Sequence, residues 1–343
     1  MHASMKFVVA VGVAFSAIAM ANTAAVNAQG AAPTGGRGGA PAAGGRGGGA
    51  QVLVWAPKPT QMTQYVAPNR PHWKLSDVLA LHTGQKGWRQ PIIRDALLES
   101  DYVQMAPGES TGRIYFGDDP YWFIVWDGQV RVAINGVEPF VASKGFMVQV
   151  PPRVDFSLET VGTTPSLHYE MRIANAPIFY MDMTHEPPAK AGVTWYKGAQ
   201  IAPRPAQLDA AAAVPTYTSL GRVYVDFMKE VVGGAGPFRQ GAFVSDDRSF
   251  FNVIRGPGAP PAPATSLGHF HTYGTESWFI AEGQIDYLIE GIPDLISAFP
   301  GDIVTAAQGR FHRASSGGQG QATRIATNGY PQGLHVYQTP AGQ

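Results

Sequence analysis

The stretch GHFHTYGTESWFIAEG, residues 268–283, sets two histidines one residue apart and then a glutamate, in a chain with nine histidines among 343 residues. A β-strand turns successive side chains to opposite faces, so residues i and i+2 share one face. Read as a strand, the run points His269 and His271 together and Phe270 away. Two neighbouring imidazoles hold a metal or line a wet sheet face, and this stretch alone leaves both readings open.

Working outward, the chain around it alternates short apolar runs with turn residues. Downstream come AFPGDIVTAAQGRFHRAS, ATRIATNG and LHVYQTP; upstream come RVYVDFM and SFFNVIRG. The same character starts at Gly108, where YWFIVWDGQVRVAINGVEPFVAS puts Asp127-Gly128 and Asn135-Gly136 between apolar runs, a hairpin signal. Set against SWFIAEGQIDYLIEGIPDLISAFPGDIV, this segment shows Trp-Phe-Ile, an acidic-Gly turn, a strand, a Gly turn and further strands in the same order. A repeat this long is a duplicated domain rather than a solenoid unit. The spacing predicts an all-β protein of two tandem modules.

The segment WKLSDVLALHTG reads as a short helix capped by Ser76 and ended by Gly84. MKFVVAVGVAFSAIAMANTAAVNAQG has one lysine, an apolar run and small residues ending at Ala28, the layout of an export signal. The expected division is a signal peptide over 1–28, a Gly/Ala/Arg-rich leader over 29–50 and an N-terminal extension over 51–107. A first β-domain over 108–175, a linker over 176–215 and a second β-domain over 216–343 follow. A periplasmic or secreted product is expected, with no membrane contact after cleavage.

Formal charge is zero, 25 cations against 25 acids, and no Lys/Arg cluster points to nucleic acid. The absence of cysteine excludes disulfides, thiolate metal ligands and cysteine nucleophiles.

The second copy resembles the cupin family, whose first motif is Gly, His-x-His, a short gap, Glu, six residues, Gly, and whose second is Pro-Gly-Asp followed by a histidine. Here these read His269, His271, Glu276 and Gly283, then Pro300-Gly301-Asp302 and His312, across about 45 residues. With the duplication, the resemblance implies a bicupin: two antiparallel barrels of the jelly-roll type. It implies one divalent transition metal (Fe, Mn, Cu, Ni or Zn) on His269, His271, Glu276 and His312, a donor set that suits such ions. In the first copy, aligned on Trp122-Phe123-Ile124, Arg113 and Tyr115 fall near the two histidine places, Asp118 or Asp119 near the glutamate and Asp155 near the last histidine. That copy is therefore expected to be metal-free.

Such a metal polarises a carbonyl or carboxylate, or passes an electron to O₂. Glu276 and Tyr273 are the expected acid–base residues, Tyr287 and His335 lie on neighbouring apparent strands, and Phe270, Trp278, Phe279 and Phe311 are expected in lining or core. Fold does not choose among the family's activities. Export with duplication, a single metal motif and the four-residue gap between His271 and Glu276 resemble the secreted bicupin flavonol dioxygenases more than the oxalate decarboxylases. The sequence reading is thus an oxidoreductase of dioxygenase type acting on a small organic or phenolic substrate. A metal-dependent lyase or decarboxylase of a small acid or sugar derivative, and a non-enzymatic binding protein, are the alternatives. A homo-oligomer is compatible with all three.

Overall fold

The computed structural model describes residues 57–117, 120–180, 193–197, 222–234, 241–245, 250–257, 265–328 and 335–337. The expected export signal and leader, and most of the expected linker, lie outside the described residues. Among the described residues there is one short α-helix, Leu75–Leu81, one π-helical turn, Phe227–Val232, and otherwise strands. No described helix is long and apolar enough to cross a membrane.

The strands form four sheets. In the first module one sheet runs, in spatial order, Tyr224–Asp226, Phe146–Val150, Tyr121–Asp127, Ser166–Ile173, Leu98–Met105, Trp88–Arg94. The other runs Trp195–Lys197, Ile178–Tyr180, Ile114–Phe116, Phe156–Thr160, Val130–Ile134, Phe140–Ala142. In the second module one sheet runs His72–Trp73, Ile303–Ala306, Glu276–Glu282, Gln321–Asn328, Phe250–Pro257, Gly241–Ser245. The other runs Ile296–Ala298, Ile285–Ile289, His312–Ser316, His269–Phe270, Val336–Tyr337. Among the described residues the modules correspond strand for strand, except that Trp195–Lys197 has no counterpart, so the sequence repeat is a structural duplication.

Several sequence expectations need correction. Asp127-Gly128 does not close a hairpin: Tyr121–Asp127 and Val130–Ile134 lie in different sheets, and the turn carries the chain from one to the other. The hairpin signal is real at Asn135-Gly136, where Val130–Ile134 pairs with Phe140–Ala142. The first module starts before Gly108, because Trp88–Arg94 and Leu98–Met105 complete its sheet. Nor does the second module hold everything after residue 216, because Tyr224–Asp226 pairs with Phe146–Val150 of the first.

That pairing has a mirror. His72–Trp73, from the N-terminal extension, adds to Ile303–Val304 at the edge of the second module. Each module thus receives on one edge the segment that precedes the other, and each arm continues into a short helix. The edges so covered are not left open to foreign strands.

Between the modules lies a shared apolar core. Strands buried on both faces send alternate residues to opposite sides. Phe123 and Val125 fill the first module's interior, and Trp278 and Ile280 fill the second's. Trp122, Tyr102, Tyr169, Phe251 and Phe279 turn the other way and meet in the shared core with the arm residues Trp73, Val78, Val225 and Phe227. Trp122 stacks on Phe251 at 4.7 Å between ring centroids, and Tyr169 on Phe279 at 5.6 Å.

Gly301-Asp302 ties these parts together. Gly301 has φ +92°, and a Cβ there would lie 2.5 Å from Leu75 Cδ2 and 2.8 Å from Trp126 Nε1, so only glycine fits the junction. Its carbonyl accepts from Tyr102 of the first module. Asp302 Oδ1 accepts from the backbone of Leu75 at 2.9 Å, and Oδ2 lies 3.0 Å from His72 Nε2 and accepts from Phe299 N at 3.0 Å. Asp302 therefore starts the helix. The expected cap, Ser76, lies inside it, and Lys74 at the cap position makes no side-chain bond. The helix ends at Leu81, ahead of Gly84.

Asp302→Ala leaves two backbone N–H groups without their acceptor and releases the arm, at a cost of about 2–4 kcal/mol. Denaturant unfolding is expected to show that loss, together with faster amide exchange at residues 72–81 than in the rest of the second module.

Candidate metal centre

The four motif residues come from three chain segments. His269 lies on the strand His269–Phe270, paired on one side with His312 and on the other with Tyr337. Glu276 opens Glu276–Glu282, and His312 opens His312–Ser316. The strands that carry His269 and His312 approach closely because residue 268 is glycine: at φ +79° a Cβ would sit 2.0 Å from the carbonyl oxygen of His312. Phe270 points away, buried against Phe311 at 5.0 Å, with Lys58 of the N-terminal arm over its ring.

Three Nε2 atoms converge on one carboxylate oxygen. Glu276 Oε2 lies 2.7 Å from His271 Nε2, 2.9 Å from His312 Nε2 and 3.7 Å from His269 Nε2. His312 and His269 bring their Nε2 atoms within 3.2 Å of each other. All four residues are buried, and their ligand atoms lie within 4.8 Å of one another. The cluster can coordinate one divalent transition metal ion.

The tautomer of His312 tests whether a cation fits. Its Nδ1 lies 3.0 Å from the Arg310 carbonyl, which only accepts, so Nδ1 carries the hydrogen. In the neutral ring, Nε2 then presents a lone pair to the Glu276 carboxylate and to His269. Lone pairs facing a buried carboxylate repel unless a cation lies between them. A backbone carbonyl that fixes the far nitrogen of a histidine is the arrangement metal-ligating imidazoles adopt. Burial, the nearby His312 and the nearby His335 push His269 down to about 3, partly offset by Glu276, which keeps its ring neutral and ligand-ready. Burial opposes charge on Glu276, but His271, His269 and His312 hold its carboxyl well below the usual range.

Around the cluster, Trp278 packs edge-on to His312 at 5.1 Å and against Tyr287 at 4.8 Å. Tyr287 Oη is buried and without a hydrogen-bond partner among the described residues. Burial raises its hydroxyl well above the ordinary value; Arg324 opposes this and Glu276 adds to it. Arg324 is buried on the same strand face as Asn328, the residue paired with Glu276. His335, which the sequence placed only on a neighbouring apparent strand, stands 4.3 Å from His269 and 5.0 Å from His271 between ring centroids. Its segment returns from the end of the chain, and no local spacing signals that. Tyr273 is not drawn in: it is 70% exposed on the turn between His271 and Glu276.

The duplication identifies the matching places in the first module, and they differ from those the sequence suggested. Gly128 and Gly283 end corresponding strands, so Tyr121 occupies the Glu276 place. Ile134 pairs with Phe156 as Ile289 pairs with His312, and Ile114 pairs with Phe156 as His269 pairs with His312. Hence Ile114, Phe116, Tyr121 and Phe156 stand where the second module has His269, His271, Glu276 and His312. Ile178, opposite Phe116, matches His335. Arg113, Tyr115 and Asp155 are each one residue off, and a one-residue slip moves a side chain to the other face. Arg113 and Asp155 instead form an ion pair with Arg113 exposed. Asp118 and Asp119 lie outside the described residues.

No family model and no curated protein matches the chain. Among solved structures it is similar to oxalate decarboxylase of Bacillus subtilis. One form determined at pH 4.6 superposes with TM-score 0.45 at 11% identity, over 78% of each chain. A variant with one glutamate replaced by alanine gives TM-score 0.47 at 12% identity, over 81% of each chain. The described residues form two tandem two-sheet modules, with a three-histidine, one-glutamate set in the second. The dioxygenase expectation is not carried forward: these solved structures bear the name of a decarboxylase and not of a dioxygenase.

His271→Ala and His312→Ala are expected to lose most of one metal equivalent per chain by elemental analysis. Asp155→Ala is expected to keep that equivalent and to change stability by no more than about 1 kcal/mol, since it breaks a surface pair. A second equivalent lost with Asp155→Ala would contradict the assignment.

Proposed function

We propose that the chain is a metal-dependent lyase that releases CO₂ from a small organic acid at the second module, and that each two-sheet module is a jelly-roll barrel of the cupin type. The observation that carries the reading is the convergence of three imidazole nitrogens and one carboxylate oxygen in an interior that also holds Arg324 and Tyr287. A metal held by His269, His271, Glu276 and His312 supplies a Lewis acid for a substrate oxygen.

The chain's own residues do the rest. A buried guanidinium is the side chain best matched to a carboxylate, so Arg324 takes one end of the acid. Tyr287, held protonated by burial, donates its hydroxyl to a substrate oxygen. Trp278, packed against both Tyr287 and His312, supplies an apolar wall beside the reacting group. Decarboxylation breaks the bond between the carboxylate carbon and its neighbour. The electron pair stays on the remaining fragment, CO₂ leaves, and the fragment takes a proton. Glu276, which the three histidines hold ionised at rest, is placed to relay that proton from solvent to the fragment through the carboxylate oxygen it frees; Tyr273 lies outside the interior.

The test is turnover on a panel of small mono- and dicarboxylic acids that includes oxalate, with CO₂ and dissolved O₂ followed together. Release of CO₂ without net O₂ consumption is expected, lost on treatment with EDTA. Arg324→Lys is expected to lower kcat/KM at least about ten-fold, because the bidentate carboxylate contact goes. O₂ uptake in proportion to substrate consumed, or no turnover at one metal per chain, would contradict the proposal.

A further inference from the structure

The first module has lost the metal ligands but not the hollow. Ile114, Phe116, Tyr121, Phe156 and Ile178, at the five places that carry His269, His271, Glu276, His312 and His335 in the second module, line a cavity of ≈300 Å³. That volume is at the lower end of small-molecule sites. Three aromatic rings stand in its apolar wall, Phe116 stacked on Tyr121 at 5.0 Å and Tyr121 on Phe156 at 5.1 Å, and Glu109, Ser110 and Thr111 line it elsewhere.

One side of the cavity is polar. Arg89, His168 and Glu170 line it, behind which stand Asp101 and Arg172. The charges are matched. Arg89 binds Asp101 and Glu170; Arg94 binds Asp101; Arg172 binds Asp101, Glu170 and Glu99. Three cations thus face three carboxylates, Asp101, Glu170 and Glu99. Burial opposes charge on Glu170, but Arg89, His168 and Arg172 hold its carboxyl well below the usual range, so the matching persists at neutral pH. Among the described residues an incoming carboxylate would meet no uncommitted cation there, and it would lie beside Glu170.

Two polar atoms on this side are buried without a partner among the described residues: His168 Nδ1 and Arg89 Nε. The His168 side chain is 2% exposed, with Nε2 3.5 Å from Glu170 Oε2. Arg89 and His168 flank Val103 on adjacent strands and share its face of the sheet. An unmet buried donor or acceptor costs free energy that a ligand recovers by supplying its complement. A hydroxyl group meets either need, since it accepts from an N–H and donates to a ring nitrogen.

We propose that the first module binds, without metal, a neutral ring-sized aromatic alcohol, its ring against Phe116 and Phe156 and its hydroxyl at His168. The site is separate from the metal centre and stands whether or not the second module is a lyase.

The experiment titrates phenol into the full-length holoprotein carrying ¹³C-methyl methionine and follows Met105, which lines the cavity and is assigned with Met105→Leu. A saturable shift of the Met105 methyl is expected, at one phenol per chain, unchanged after EDTA. Benzoate is expected to bind at least about ten-fold more weakly, the difference one lost charge-neutral hydrogen bond makes. His168→Phe is expected to weaken phenol by a similar factor, and Leu158→Trp, which fills the cavity, to abolish the shift. No saturable Met105 shift in the unmutated protein, benzoate binding as tightly as phenol, or a shift that vanishes with the metal would each overturn the proposal, even if neither variant folds.

Discussion

The structure depends on the apolar contact between the two modules. Each module presents the outer face of one sheet, and Trp122, Tyr102, Tyr169, Phe251 and Phe279 are buried only because the other module covers them. Aromatic side chains of this size carry much of the apolar area a core removes from water. The exchanged arms follow from the same contact. Trp73 and Val78 on one side, and Val225 and Phe227 on the other, reach the shared core from chain that belongs in sequence to the opposite module. Neither module can be cut out at its sequence boundary without removing a strand from its neighbour.

That arrangement leaves the module interiors free to diverge. The same backbone frame holds two different chemistries at equivalent places. In the second module, imidazoles and a carboxylate converge on a point, where a cation would relieve their lone-pair repulsion. In the first, isoleucine, phenylalanine and tyrosine at those places form a wall with a polar side of paired charges. The motif glycines belong to the frame. Gly268 lets His269 approach His312, and Gly301 lets three segments meet.

The metal set was legible in the sequence because three of its four ligands, His269, Glu276 and His312, open strands and the fourth, His271, follows one of them, all within about 45 residues. The all-β class and the duplication were legible from the turn residues. The register of the first copy was not. Trp-Phe-Ile occurs in both copies, yet Trp122 faces the shared core and Trp278 faces its module's interior. A strand buried on both faces loses the alternation that would reveal its facing, so a tripeptide match can be off by one residue. The Asp127-Gly128 turn misled for a related reason: a change of sheet and a hairpin use the same turn residues. His335 and the roles of Asp302 and Arg324 depend on long-range contact, which local pattern does not encode.

The central claim is that one module holds a metal and its duplicate does not. The most direct measurement is anomalous diffraction from crystals grown with Mn²⁺. The account expects one strong peak per chain, bounded by Nε2 of His269, His271 and His312 and by a Glu276 oxygen, and none among Ile114, Phe116, Tyr121 and Phe156. A peak in the first module, or none in the second at full Mn²⁺ loading, would contradict it.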